Sequence, residues 1–362
     1  MILSALFSIG VFILVLFVLV IAHEWGHFFV ARKFGVRVYE FGFGFPPKIA
    51  KMFHKNGTDY TLNWIPLGGF VRLKGEDGSE SGDTDSFAHK KIWQRLAILL
   101  AGVVMNFALG YVIFLGLFMT GIDMPAQQQD ASAIVSEKRL MVGGVMKGSP
   151  ADFAGFSAGD EITKIDSVEF PPAEQVKKII SEKTGASVVI DLNRQGEKKN
   201  LVVTPGEIQP GVTGIGINMV DVVSVRYPFT AAVVKAGTET KDVSLLIFRT
   251  LGEIFSKLIR HGELQEGVSG PVGIAVVTGK VAHSGFGPLL QLTALLSINL
   301  GVLNVLPIPS LDGGRALFVV LEKIVRKKMR AEIEQYAHMI GFGLLMLLVI
   351  AVTYRDVVAL IK

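Results

Sequence analysis

The stretch LVLFVLVIAHEWGHFFVARKFG, residues 14–35, limits this chain more than any other. An apolar run long enough to enter a bilayer carries two histidines and a glutamate. Ionisable groups at that depth are costly, and they persist where they pair or bind something. His23 and His27 are four positions apart, so on a helix they lie one turn apart on the same face. Two imidazoles so placed can hold one metal ion, and Glu24 beside the first can act as general base on a metal-activated water. The H-E-x-x-H spacing alone is only suggestive, because packing histidines on a helix can match it. Its position argues for metal: Phe28, Phe29, Val30 and Ala31 resume the apolar character directly after it.

A catalytic metal site of this type needs a third protein ligand and one open position. The chain has no cysteine, so that ligand must be His, Asp or Glu. Asp312 in NVLPIPSLDGGRALF, residues 304–318, is a lone carboxylate in an apolar segment broken by Pro307, Pro309, Gly313 and Gly314. Two readings of it stand: third ligand, or cap of a helix beginning near Gly314. Asn299 and Asn304 suit either interhelical contact or amide donation to a substrate backbone or oxyanion. Asn106 reads as packing contact, Arg315 as a headgroup-facing cation, and His54, His89, His261, His283 and His338 as ordinary loop or interface residues. Two histidines and a carboxylate can hold zinc or iron(II).

Half of the 362 residues are hydrophobic and 19% are charged, which points to a membrane protein. The net charge of +4 reads as loop asymmetry, and no basic patch with interleaved aromatics suggests nucleic acid. Four spans are expected: residues 1–22, about 96–122, a broken one within 288–321, and about 338–354. A cleaved signal peptide fits the first poorly, since it has no basic start and no small-residue cleavage site follows. Arg32, Lys33, Arg37, Lys48, Lys51 and Lys55 lead a basic series between spans one and two, and Lys323 and Arg326 follow span three. The positive-inside rule places both segments in the cytoplasm, and both termini and residues 123–286 outside.

Residues 36–74, rich in β-branched and aromatic side chains with Gly and Pro, predict paired strands. The acidic stretch 75–86 predicts a flexible loop. Residues 134–220 predict a small α/β module, with a helix over 173–183 and a hairpin of 188–192 with 199–204. Residues 227–260 predict an amphipathic helix.

HEWGH on a first membrane helix, with NVLPIPSLDGG on a later one, resembles the site-2 protease family of intramembrane zinc metalloproteases. The nearest subgroup is the bacterial regulator-of-sigma-E type, and the likeness covers essentially the whole chain. It implies a polytopic α-helical membrane protein with four transmembrane helices, a membrane-associated β-region and an inserted extracytoplasmic PDZ domain. The divisions are then 1–127 and 223–362 for the membrane core and 128–222 for the PDZ domain. The resemblance implies zinc held by His23, His27 and Asp312, with Glu24 as base. It also implies substrate contacts from Asn299 and Asn304 and a β-region carrying Gly42 and Gly44 that pairs with an unwound substrate. The PDZ peptide-binding loop would be Gly214, Ile215, Gly216 and Ile217, taking peptide C-termini. The implied substrates are single-span proteins of the bacterial inner membrane already trimmed by another protease, such as anti-sigma factors, or remnant signal peptides. Well-known members have two PDZ domains, whereas this chain has room for one. Competing readings are a metal transporter and an inactive PDZ-bearing scaffold.

Overall fold

The computed structural model describes residues 2–78, 80, 82–125, 132–194, 196–209, 211–261, 269–326 and 331–361. Four of its helices are long and apolar enough to cross a membrane. The chain divides into two compact units: residues 1–114 with 236–362, and residues 115–235.

The first unit opens with α1 (Ile2–Lys33). At about 1.5 Å per residue this helix exceeds the roughly 30 Å of a hydrocarbon core. Arg32 and Lys33 close its last turn. Gly35 then stops it at φ +67°, and the Val36 amide bonds back to the Ala31 carbonyl, a left-handed helix stop. β1 (Val38–Lys55) and β2 (Thr58–Leu73) follow, turning at Asn56-Gly57, where both residues have positive φ. The long strands bend so that the stretch 41–43 is paired on both sides: Phe41 with Val71 and Tyr60, Gly42 with Phe70 and Thr61, Phe43 with Gly69 and Leu62. The expected β-region is therefore present, as a folded-over hairpin.

α2 (Ile92–Thr120) is the second long apolar helix. Phe28, Val38, Val71, Ile98, Leu99 and Val319 belong to one buried cluster. That cluster joins the end of α1, the base of the hairpin and the start of α2 to a helix near the far end of the chain. Burial of each such side chain contributes about 1.5–3 kcal/mol.

The expected broken span is two helices, α7 (Phe286–Val305) and α8 (Asp312–Val325), joined by residues 306–311. Here the glycines are needed for close approach. A Cβ on Gly313 would strike the Val305 and Leu306 carbonyls, and one on Gly314 the Ile308 carbonyl. The His338 ring, on α9 (Ala331–Ile361), holds this loop by accepting the Ser310 N–H at 2.7 Å. Arg95 of α2 forms an ion pair with Glu322 of α8. α6 (Pro271–His283) also packs on α1, where Gly279 meets Ser8.

The described residues of the acidic stretch 75–86 differ from the flexible loop that its composition predicts. Lys74 bonds Asp83 and Asp85 at 2.8 Å each, and the Arg37 amide bonds the Asp85 carbonyl. Asp83 and then Asp85 raise the Lys74 pKa, and Lys74 holds Asp85 below the ordinary carboxylate range. The clasp is therefore complete at neutral pH. It weakens as pH falls through the depressed Asp85 value, or rises through the elevated Lys74 value.

The second unit contains a seven-stranded sheet. Its elements are β3 (Ile122–Pro125), β4 (Ile134–Val145), β5 (Glu161–Ile165), β6 (Val168–Glu169), β7 (Val188–Arg194), β8 (Glu197–Val203) and β11 (Ile217–Arg226). The order is β3-β11-β4-β5-β7-β8, with β6 beside β5. A two-stranded ribbon of β9 (Gly206–Gln209) and β10 (Val212–Gly214) completes the strands. The short α3 (Pro150–Ala154) and the helix α4 (Ala173–Glu182) pack on the sheet, burying Ala151, Val176 and Ile180 with Ile162, Val188 and Ile190. Ser149 caps α3, with Pro150 in its first turn. The amphipathic helix is α5 (Phe229–His261).

The Lys74→Ala variant should be cut several-fold faster within residues 75–86 when the folded full-length protein is challenged with a soluble protease. An unchanged cutting rate would mean that the clasp does not hold the stretch.

Candidate metal centre

α1 carries His23, Glu24 and His27, and α8 carries Asp312 as its first residue. The Nε2 atoms of the two histidines stand 3.2 Å apart. Asp312 Oδ2 lies 3.1 Å from His23 Nε2 and 3.3 Å from His27 Nε2. Ligand bonds of about 2.0–2.1 Å in a tetrahedron give edges of about 3.3 Å. The three atoms form such a face, and Asp312 Oδ2 is buried with no hydrogen-bond partner among the described residues. A metal ion fits both facts. The capping alternative for Asp312 fails on position: the helix begins at Asp312 itself, Leu311 is its cap residue, and the carboxylate turns towards the histidines.

One face of α2 supports the histidines. His27 Nδ1 meets the Ile98 carbonyl at 2.8 Å, which directs Nε2 inward. Asn106 Nδ2 stands 3.0 Å from His23 Nδ1. Gly102 sits between them in sequence, and a Cβ there would strike His27 Nε2 and come within 2.7 Å of His23 Cε1. Ile98, Gly102 and Asn106 are spaced by four, so the stripe is one helix face.

The site opens into a cavity of about 390 Å³ lined by His23, Glu24, His27, Asn304 and Asp312, with Gly68, Gly69, Phe70 and Val71 of β2 along it. Glu24 is buried beside the strand: a Cβ on Gly69 would lie 3.0 Å from Glu24 Cγ and 2.7 Å from Val20 Cγ1. Asn304 Nδ2 reaches to 3.4 Å of His23 Nε2, so its amide faces the metal position.

Other residues singled out from sequence fall differently. Asn299 does not line the cavity. Gly42 and Gly44 do not line it either; Gly42 makes room for the Phe70 ring, and Gly44 (φ +79°) packs against the Asn63 and Ile65 carbonyls. The glycines along the cavity are Gly68 and Gly69. Arg315, expected at the headgroups, is paired with Glu76 and lines the cavity. Asn106, expected as packing, touches His23, and Gly102 was not singled out at all. Their signal was the spacing of four in GVVMN, which has meaning only once that face is known to meet α1. In the second unit Ile215 is buried, its carbonyl accepting the Ala151 N–H at 2.9 Å. The Gly216 carbonyl accepts the Met146 N–H at 2.8 Å. Gly216 (φ +81°) leaves no room for a Cβ beside Ser149, Gly214 ends β10, and Ile217 pairs with Val145.

Residues 11–348 match the sequence profile of peptidase family M50. Over nearly its whole length the chain is similar to bacterial proteins named zinc metalloprotease RasP. That of Oceanobacillus iheyensis is 32% identical, covering 97% of this chain and 98% of its own. That of Shouchella clausii is 30% identical, covering 96% and 97%. That of Geobacillus kaustophilus is 30% identical, covering 97% of each.

Overpacking so tight a contact costs about 1–3 kcal/mol. Gly102→Ala should therefore lower zinc affinity about ten- to a hundredfold, read by competition with a chelator. Zinc binding at wild-type strength would show that α2 does not press on the histidines.

Proposed function

This chain belongs to peptidase family M50 and is an intramembrane zinc metalloprotease; from that premise we propose how its own residues carry the reaction, and on what. The observation that carries the assignment of roles is the face formed by His23 Nε2, His27 Nε2 and Asp312 Oδ2, with Glu24 in the same cavity. His23, His27 and Asp312 hold the zinc. A zinc ion held there would supply Lewis acidity towards a peptide carbonyl and a nucleophilic water near neutral pH.

Glu24 takes the proton of the attacking water and passes it to the leaving amine. Asn304 offers an amide N–H to the substrate oxygen as charge develops there. Asn299 is assigned to the same substrate path, one turn and more away on α7. A helical substrate hides its carbonyls in internal hydrogen bonds, so the scissile segment must be unwound. The end of β2 at Gly69–Val71, running along the cavity, supports pairing with such a segment as an added strand. Gly42 and Gly44 would serve the same pairing from the neighbouring strand β1, where Gly42 is the direct partner of Phe70.

The substrates we assign are single-span proteins of the bacterial inner (cytoplasmic) membrane, shortened beforehand by another protease. Anti-sigma-factor-like proteins and remnant signal peptides have this form. The sheet-and-two-helix module at 128–222 is read as a PDZ domain on the extracytoplasmic side, taking peptide C-termini at Gly214–Ile217. Two features support this: the Ile215 carbonyl of the loop accepts the Ala151 N–H of α3, and β11 beyond it runs on towards α4, where the Asp221 carboxylate accepts the Ala173 N–H. The basic residues after α1 and α8 support a cytoplasmic position for those ends, so the chemistry lies nearer that face.

In Glu24→Gln, zinc should remain and cleavage of a transmembrane reporter should fall by about 10²–10⁴. In Asp312→Ala the purified protein should lose its zinc. Full cleavage by the first variant, or full metal content in the second, would overturn these roles.

A further inference from the structure

A neutral imidazole carries one N–H and one lone pair, and the hydrogen bond at one nitrogen decides which nitrogen is free for metal. For His23 to offer Nε2, its proton must sit on Nδ1, and a buried N–H needs an acceptor. His27 meets this demand with the Ile98 carbonyl. At His23 the group in place is the Asn106 carboxamide, 3.0 Å from Nδ1. Asn106 is completely buried in α2. Its backbone carbonyl accepts the Ser297 hydroxyl of α7 at 2.8 Å, and Gly301 of α7 packs within Cβ distance. The side chain is therefore held between α1 and α7.

The two ends of a carboxamide differ in role: the nitrogen only donates and the oxygen only accepts. With Nδ2 towards the ring, Nδ1 would have to be the lone-pair nitrogen. The proton would then sit on Nε2, which points at His27 Nε2 and Asp312 Oδ2. The far end of the carboxamide has no hydrogen-bond partner among the described residues, so nothing on that side dictates its sense. The imidazole decides it. Resting on the zinc-site reading of His23, His27 and Asp312, we infer that Asn106 is a positioning residue for the metal centre: its Oδ1 accepts the His23 Nδ1–H and so keeps Nε2 free for zinc.

The experiment uses full-length protein in detergent, with zinc affinity read by chelator competition and ligand geometry by the visible spectrum of the cobalt(II) form. Asn106→Leu keeps the size and loses the acceptor, and should weaken zinc binding about 10–100-fold. Asn106→Asp is an acceptor at both oxygens, and should bind zinc at least as tightly as wild type with the same cobalt spectrum. A packing role alone predicts otherwise, since a buried carboxylate suits a packing site worse than leucine. Wild-type affinity in Asn106→Leu, or a loss in Asn106→Asp as large as in Asn106→Leu, overturns the inference. If the leucine variant does not fold, Asn106→Asp still decides. Wild-type protein that takes up no zinc would strike the metal-centre reading itself, and this inference with it.

Discussion

The first unit brings three candidate ligand atoms, from His23, His27 and Asp312, within about a zinc tetrahedron's edge of one another in an apolar setting. Side chains as short as histidine and aspartate cannot bridge ordinary helix separations of about 8–10 Å from several sides at once. The backbones must come close, and small residues allow it. Gly26 of α1 faces the Ala101 carbonyl of α2 with no room for a Cβ, and Gly102 answers from the other helix beneath the two histidines. Gly313 and Gly314 do the same for α8, letting the 306–311 loop fold back on the helix that starts with Asp312. The buried cluster of Phe28, Val71, Ile98 and Val319 then locks the same elements from the side away from the cavity.

The parts of this design written as local pattern were legible in the sequence. The four long apolar stretches, the four-residue spacing of His23 and His27, and the helix break before Asp312 each depend on neighbours in the chain; the first and last helices nevertheless run about ten residues beyond the apolar stretches read for them. Asp312 could not be chosen between ligand and cap, because that choice turns on where α8 begins, and a shift of two residues reverses it. The structure starts the helix at Asp312.

What was illegible depends on which faces meet. Asn106 looked like packing because a lone amide in an apolar helix has no local signature of its partner; His23 lies eighty-three positions away. Gly42 and Gly44 drew attention through their repeat in FGFGFPP, yet the fold-over of the hairpin puts the less conspicuous pair Gly68–Gly69 along the cavity. The acidic stretch after Lys74 looked like a solvated linker by composition. Composition does not register that one lysine, itself buried, gathers Asp83 and Asp85.

That clasped stretch also bears on the ligand set. Arg315 stands three residues after Asp312 on α8, a spacing at which a guanidinium and a carboxylate meet on one helix face. Such a contact would occupy the oxygen that faces His23 and His27. Instead Arg315 is taken by Glu76, the second residue after Lys74. Glu76 is itself fixed, because its other oxygen accepts the Leu73 N–H at 3.1 Å. Asp312 Oδ2 has no hydrogen-bond partner among the described residues and faces the two histidines. A cation so close to a candidate ligand carboxylate is tolerable when a second carboxylate neutralises it, and the clasp at Lys74 anchors the stretch that supplies one. Through Glu76 the acidic stretch thus holds the cation that stands beside the candidate metal centre.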